Sequence, residues 1–391
     1  MPITKLPGVY YDENVTYELT GEGSKIPVII GATDNAPAPG STYKADGTQI
    51  RKYTSWEEVN KPITAENPGI GVWSEGTSNK LSQFLYEFFK EARLLTNADS
   101  DVPFIYVIDV GDGTTKKAWV DALTLAKSKS DAQIEVYVGA DNIDSYNLPA
   151  FLKGAYAAIL EETHDLDLRC AFTTKYGATD EQYGETDKQL IALTNESSGI
   201  QKSRIGICEP LLFGKTVARI CCTPSNMEPG HLVYRSVEPG TFIDRTKAEM
   251  LKLQNAGIIF NRDEHINGNI YPKMNLCVAT SFAATTRPAD ALFHARFNAD
   301  SLLREVFEAC YSQIKANESA SNLAYLQTRI NKIVNDKVSA EEMVEYDERT
   351  EAGTKLIATE SDNDPYIIII TGQIQPVKCT IAIEVEATVK L

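Results

Sequence analysis

Two glycine-containing segments have residue types that could bind a phosphate group. Gly111-Asp112-Gly113 follows an apolar run, as the first two glycines of a dinucleotide-binding loop do. The third glycine of that motif would stand at position 116, which is Lys116. Gly214-Lys215-Thr216 matches the end of a phosphate-binding loop, but the opening glycine is replaced by Glu209. Because both motifs are incomplete, we interpret each as a simple turn. A nucleotide-binding α/β enzyme that uses Gly111-Asp112-Gly113 stays the alternative.

Histidine and cysteine, the other residues with catalytic or metal-binding chemistry, are few and scattered. The four histidines show no HExxH spacing and the seven cysteines contain no CxxC pair, so no metal site is predicted. The cysteines are expected to be reduced and mostly buried. Arg262-Asp263-Glu264-His265 holds an acid and a base, but adjacent charges in an Asn-rich turn are usually solvated. We therefore assign no catalytic residue, metal or cofactor, and we do not expect an enzyme.

The composition excludes several classes of protein. The chain has 391 residues, of which 43% are hydrophobic and 24% charged, which suits two or three ordinary globular domains. Its net charge of −16 would repel nucleic acid and anionic membrane surfaces, so neither is an expected partner. The amino terminus lacks the pattern of a signal peptide, which predicts synthesis and use from a cytoplasm. The apolar runs are far shorter than the roughly 20 residues that a membrane-spanning helix needs, so no membrane insertion is expected.

The region 26–222 alternates between helix and strand patterns, which predicts an α/β domain with a largely parallel sheet. Its clearest helix begins at a cap near Ser78 and ends near Leu95. The apolar run 102–110 predicts a strand buried on both faces. Residues 33–75 are expected to form a surface excursion or contact loop. The other predicted elements are helices near 115–128, 149–163 and 185–197, and strands near 134–139, 168–173, 203–208 and 216–222.

A Pro- and Gly-rich connector at 223–240 is predicted to separate this domain from an α+β domain at 241–376. Extended arms are predicted at 1–25 and 377–391. The expected fold class is therefore α/β plus α+β, with two domains and two terminal arms. The second domain is predicted to contain helices near 244–255, 300–315 and 320–335, a strand pair near 257–280, and a strand near 365–375.

Both ends of the chain have the alternating pattern of a strand with one buried face. Such strands must have paired backbones, either in a sheet of their own subunit or in the sheet of a neighbour. We favour strand exchange between subunits, because an edge strand within one subunit would leave an exposed edge. Head-to-tail exchange would produce a ring or a filament. The predicted arm residues are Val9, Tyr11, Val15, Tyr17, Leu19, Ile381, Ile383, Val385, Val389 and Leu391.

The order of several segments resembles that of contractile tail sheath proteins. PGVYYDE at 7–13 and IPVIIGATD at 26–34 resemble the amino-terminal arm and first strand of that family. KLQNAGIIF at 252–260 resembles its leucine-rich helix and following strand, and ADALFHARFNADSLLREVFE at 289–308 resembles its arginine-bearing strand and helix. The alternating end at Leu391 resembles its carboxyl-terminal arm.

The resemblance implies a sheath subunit that polymerises as stacked hexameric rings around an inner tube and contracts to drive that tube through a target cell envelope. The implied partners are other copies of the chain, an inner tail tube protein, and baseplate and tail terminator proteins of a phage tail, bacteriocin or related injection system. The α/β domain would face outward, and the second domain with both arms would lie near the tube. A charged helix at 244–255 is the suggested tube contact, although such a helix is more often simply solvated. Its charged residues are Arg245, Lys247, Glu249 and Lys252.

Overall fold

The computed structural model divides into two units, each described here by itself. One unit contains the described residues up to Pro224 together with Glu228–Ala291, and the other contains Ser225–Met227 and the described residues from Leu292 onward. Both predicted arms, apart from Lys25 and Val377, and the predicted helices near 149–163 and 185–197 lie outside the described residues. The described residues are 25–33, 50–61, 79–96, 103–111, 113–114, 116–126, 128–129, 131–139, 169–174, 204–284, 291–311, 320–360 and 368–377.

A seven-stranded sheet forms the centre of the first unit, as far as the structure describes it. The strand order is β2-β3-β1-β4-β5-β6-β7, and every pair is parallel except β2 with β3. Strands β1, β4, β5 and β6 are buried along their whole length, as expected for a sheet covered on both faces. The predicted, largely parallel α/β sheet is confirmed. Its strands are β1 (Pro27–Gly31), β2 (Arg51–Tyr53), β3 (Ile105–Asp109), β4 (Ile134–Val138), β5 (Cys170–Thr173), β6 (Ile205–Cys208) and β7 (Ile258–Ile259).

Helices cover both faces of this sheet. On one face, Trp119 and Leu253 belong to the same apolar cluster as Val28. Successive side chains of a strand alternate between the two faces of a sheet, so Gly31 and Val28 of β1 face opposite sides. A Cβ on Gly31 would lie 2.5 Å from Leu81 Cδ1, which places the helix that contains Leu81 against the other face. The helices among the described residues of this unit are α1 (Trp56–Val59), α2 (Lys80–Leu95), α3 (Lys116–Ala126), α4 (Phe213–Cys222) and α5 (Lys247–Asn255).

Local signals explain where two of these helices begin. The side chain of Asn79, next to the predicted cap at Ser78, accepts a hydrogen bond from the amide of Ser82 and starts α2. Thr246 and Glu249 form a capping box that starts α5, close to the predicted start at 244. The starts of these two helices therefore follow from single polar residues that satisfy the first free amides.

One predicted strand is wrong. Residues 216–222 belong to α4, in which Phe213 to Cys221 are all buried and the polar residues Lys215 and Arg219 stand at the helical spacing of four. Leu212, whose φ of 57° is left-handed, turns the chain into this helix directly after β6. Short apolar runs of this kind do not distinguish a strand from a buried helix.

The α/β unit continues past the connector that was predicted to end it. Strand β7 follows residues 223–240 in the chain and pairs with β6, and the unit extends to Ala291. A hairpin follows, with β8 (Asn261–Ile266) and β9 (Asn269–Met274) joined by Asn267 and Gly268, both of positive φ. This confirms the predicted strand pair near 257–280. Residues Arg262 to His265, however, lie on β8 rather than in a turn.

The connector is itself tightly fitted. Residues Pro229–His231 form one turn of 3-10 helix, and Glu228 accepts a hydrogen bond from the amide of Gly230 at its start. A Cβ on Gly230 would lie 1.8 Å from the carbonyl oxygen of Asn275. The Pro-Gly sequence that indicated irregular chain is therefore required by close backbone packing, and the Pro and Gly enrichment here does not mark the end of the α/β unit.

Among its described residues, the second unit contains two helices and a two-stranded antiparallel sheet. Leu302, Leu326, Ile330 and Leu356 belong to its buried core. The side-chain amide of Gln327 donates to the Leu356 carbonyl and accepts from the amide of Ala358, which fixes the first strand to the second helix. The elements are α6 (Phe293–Tyr311), α7 (Ala320–Ser339), β10 (Lys355–Glu360) and β11 (Ile368–Gln373).

The close approach at Gly230 makes a direct prediction. Gly230→Ala should destabilise the protein by about 3 kcal/mol, because the new methyl group must displace backbone. Gly240→Ala is the matched control. Gly240 has a φ of 86°, and a Cβ added there would have no neighbouring atom within 4 Å, so the variant should lose only about 1 kcal/mol of stability through backbone strain. Chemical denaturation of both variants measures the difference. Equal losses would show that packing at Gly230 is not tight.

Candidate functional site

The glycines after β3 form a turn that is closed by the protein's own groups. The amide of Gly111 donates to Asp109 Oδ1, and the carbonyl of Gly111 accepts from the amide of Thr33. The indole of Trp119 donates to the carbonyl of Gly113, and a Cβ on Gly113 would lie 2.6 Å from the Cβ of Ala32. These contacts support the interpretation of a structural turn, in which the glycines permit positive φ and close packing.

The segment Gly214-Lys215-Thr216 lies in the first turn of α4, so its interpretation as a simple turn is wrong. The amide of Gly214 donates to Glu87 Oε2 at 3.0 Å, and Lys215 Nζ donates to the carbonyl of Ser236 at 2.7 Å. In a phosphate-binding loop such groups face the phosphate. Here a carboxylate and a carbonyl of the same chain occupy both of them.

The metal-binding and cysteine chemistry considered from the sequence is not supported in the described part of the chain either. No group of three His, Cys, Asp or Glu residues there could hold a metal ion. All six cysteines of the described residues are free, and Cys170, Cys208, Cys221 and Cys277 are buried. Burial raises the pKa of the Cys208, Cys221 and Cys277 thiols, which disfavours the reactive thiolate.

A line of polar residues, the polar seam, runs between α2 and α4. It consists of Gln83, Glu87 and Glu91 on α2, at spacings of four, and Lys215 and Arg219 on α4. The helices approach closely here: a Cβ on Gly214 would lie 2.2 Å from the carbonyl oxygen of Phe84. Apolar contacts flank the seam, including Phe84 against Phe213 with ring centroids 5.2 Å apart.

The centre of the polar seam is an ion pair without solvent exposure. Arg219 Nη2 lies 3.0 Å from Glu91 Oε1, and both side chains are 0% exposed. Glu91 also accepts hydrogen bonds from the amides of Arg235 and Ser236 and from the Ser236 hydroxyl. Arg219 donates to the carbonyl of Val233, and its guanidinium lies 4.4 Å from the centre of the Tyr234 ring. One buried pair therefore joins two helices to residues 233–236.

A second buried pair holds the residues before and after α5. Arg245 Nη2 lies 2.6 Å from Glu209 Oε1, and Glu209 Oε2 accepts a hydrogen bond from the amide of Asn261. The Arg245 side chain is only 4% exposed. Arg245 also precedes α5 rather than lying in it. It therefore holds the α/β unit together, and its assignment as a residue that contacts a tube is not supported by its position.

The other three residues of the suggested tube contact are exposed on α5. Glu249 belongs to the capping box, and its hydrogen bonds with Thr246 lower the pKa of its carboxyl group. Its charge is therefore directed toward the helix start. Lys247 and Lys252 remain as exposed ammonium groups on this helix. These two residues are the best candidates for a charged contact with a partner.

Solved structures of other proteins share this architecture, whereas no family model and no curated protein sequence matches the chain. A chain of the six-fold symmetrised baseplate of the anti-feeding prophage matches with a TM-score of 0.65 and 12% identity over 100% of both chains. A chain of the PVC extracellular contractile injection system sheath complex, in its contracted state, matches with a TM-score of 0.62 and 11% identity over 99% of this chain and 98% of the other.

The sheath tail protein of Listeria innocua matches with a TM-score of 0.59 and 8% identity, over 92% of this chain and 94% of that protein. The chain thus has the fold of contractile sheath proteins, and the likeness covers its whole length. The resemblance seen in the sequence is confirmed at the level of fold.

The buried ion pair generates a testable prediction. Glu91→Gln should destabilise the protein by about 3 kcal/mol, because it leaves the Arg219 charge buried without its partner. Asp121→Asn is the control: it breaks the exposed pair with Lys117 and should change stability little. Equilibrium unfolding in urea measures both variants. A Glu91→Gln protein as stable as the control would show that the pair does not hold the two helices.

Proposed function

We propose that this chain is a structural subunit of a contractile tail sheath, which polymerises around an inner tube and contracts to drive the tube through a target envelope. The observation that supports this most is the full-length match to chains of contractile particles, one of them in a contracted sheath. The proposed role is mechanical and non-enzymatic. Subunits would be made in the cytoplasm and assembled in a phage tail or phage-tail-like particle.

The mechanism that we propose is a rearrangement between two packings of the same subunits. Contraction would move each α/β unit as a rigid body from an extended lattice into a lower-energy one, without a nucleotide. Rigidity of that unit is supported by its buried ion pairs, Glu91 with Arg219, Glu209 with Arg245, and Glu135 with Arg169. Each pair joins residues far apart in the chain, so bending the unit would separate buried charges.

Self-association would use strand exchange. The terminal segments 1–25 and 377–391, except Lys25 and Val377, whose amides bond within their own subunit, would leave that subunit and add to sheets of neighbouring copies, producing stacked hexameric rings. The β10–β11 sheet is a suitable acceptor, because a two-stranded sheet gains stability from further strands. Its outward face carries Ile357, which is 41% exposed. The baseplate and tail terminator proteins would hold the two ends of this assembly.

The inner tube protein would be contacted by α5. Lys247 and Lys252 are exposed there on a chain of net charge −16, which makes them suited to an acidic partner surface. This proposal replaces the four-residue contact suggested by the sequence with two residues, since Arg245 is buried and Glu249 caps its own helix.

Removal of the carboxyl-terminal arm tests the assembly proposal. A chain that ends at Val377 should stay folded and monomeric but form no tubes or rings, because it lacks the exchanging strand. Val377 is kept because its amide donates to the carbonyl of Glu342 within the second unit. Circular dichroism checks folding, and negative-stain electron microscopy of the truncated and full-length chains checks assembly. Normal tubes from the truncated chain would contradict strand exchange by this arm.

Charge reversal on α5 tests the tube contact separately. The double variant Lys247→Glu and Lys252→Glu should bind preformed inner tubes at least tenfold more weakly, because it would repel an acidic surface. Lys117→Glu, on α3, is the control and should bind normally, since Lys117 is exposed but lies on another helix. Co-sedimentation with tubes measures binding. Unchanged binding by the double variant would exclude α5 as the contact.

A further inference from the structure

The outer edge of β10, the edge that faces away from β11, is occupied by a side chain of α7. The side-chain nitrogen of Gln327 donates to the carbonyl of Leu356 at 3.0 Å, and its side-chain oxygen accepts from the backbone amide of Ala358 at 2.7 Å. One residue of a parallel strand placed opposite Ile357 would make the same two hydrogen bonds. Gln327 therefore stands where a further strand would otherwise pair with β10.

The Gln327 side chain is fixed in this position. Its nitrogen also donates to Asn331 Oδ1 at 2.8 Å, one turn further along α7. Both amide hydrogens and the oxygen of the side chain thus have partners, and the neighbouring Leu326 and Ile330 of the same helix belong to the buried core of the second unit. Displacing Gln327 is costly, because it would leave backbone groups of a partly buried edge without hydrogen bonds.

The outer edge of β11 has no such cover among the described residues. Ala358 lies opposite Ile370 in the antiparallel register. Because the amide and carbonyl of one residue point to the same side of an antiparallel strand, and the Ala358 amide points away from β11, the backbone groups of Ile370 point away from β10. No described segment outside the hairpin makes a hydrogen bond to the backbone of Ile370.

The side chains of β11 indicate what kind of strand this edge would accept. Ile368 and Ile370 stand two residues apart, so they lie on the same face, and both pack only partly against the core that contains Leu356. A strand with one apolar face would extend that core when added beside them. The carboxyl-terminal segment 378–391 has this alternating pattern in its sequence.

We propose that Gln327 is an edge guard, which prevents β10 from pairing with another copy of the chain and leaves β11 as the edge that accepts the carboxyl-terminal arm of a second copy. The choice of β11 rests on the proposed sheath function, whereas the guard acts in the free chain. A sheet with two open edges can pair at either of them, and open edges promote aggregation. Closing one edge restricts strand addition to a single side of the hairpin.

Hydrogen exchange of the free, full-length chain tests the guard. After correction for intrinsic rates, the amide of Ala358 should exchange at least tenfold more slowly than that of Ile370, because Gln327 protects it. Gln327→Leu should remove this difference and should self-associate in sedimentation velocity at concentrations where the wild type is monomeric. Asn335→Leu is the matched control: it adds the same side chain at an exposed position of α7, and it should behave like the wild type.

Two results in the free chain would overturn the guard. One is an Ala358 amide that exchanges as fast as that of Ile370 in the wild type. The other is a Gln327→Leu chain that matches Asn335→Leu in both exchange and sedimentation. If Gln327→Leu does not fold, the two wild-type rates decide the question.

Hydrogen exchange in assembled tubes tests the choice of edge. The amide of Ile370 should gain at least tenfold protection on assembly, and that of Ala358 should change little. Protection gained at Ala358 and not at Ile370 would place the added strand on β10 and overturn the proposal. If the chain forms no tubes, the sheath proposal fails, and the free-chain rates still decide whether Gln327 guards β10.

Discussion

The buried ion pair between Glu91 and Arg219 is the contact on which the first unit depends. It joins α2 to α4, and through Glu91 and Arg219 together it also holds the backbone from Val233 to Ser236. Two charges at 0% exposure are costly unless both are nearly satisfied by partners. A structure in which these partners come from three separate segments therefore has few alternative arrangements. We attribute the rigidity of the α/β unit more to this specificity than to any net gain in stability.

The sequence predicted most elements whose pattern is local. Helix α2 and strands β3, β4, β5 and β6 follow from spacing of apolar residues, and the parallel sheet follows from their alternation, whereas β1 was given by the family resemblance. Helix α4 was missed because its ten residues include a short apolar run that does not distinguish a helix from a strand, although Lys215 and Arg219 stand at helical spacing. The domain boundary was misplaced for a related reason: Gly230 marks a tight contact with Asn275, and only the fold brings these residues together.

The polar seam could be predicted only in part. Glu87 and Glu91 stand four residues apart on a predicted amphipathic helix, which could have been noticed as acidic residues on its apolar face. Their partners lie more than 120 residues further along the chain, and no local pattern indicates that pairing. For the same reason Arg245 was assigned to an external contact. A charged residue in a sequence does not reveal whether its partner is another protein or a distant carboxylate of its own chain.

The fate of these residues also explains how a chain with motifs of catalytic appearance suits a mechanical role. Gly214 and Lys215, which resemble part of a phosphate-binding loop, bind Glu87 and Ser236 and so strengthen the junction of two helices. A sheath subunit must resist deformation while its contacts with neighbours change, so buried polar contacts within the unit are useful and an open binding cleft is not. The proposed strand exchange would rely on backbone hydrogen bonds, which form regardless of side-chain charge. Under that proposal, a net charge of −16 would keep free subunits apart until specific strand pairing overcomes the repulsion.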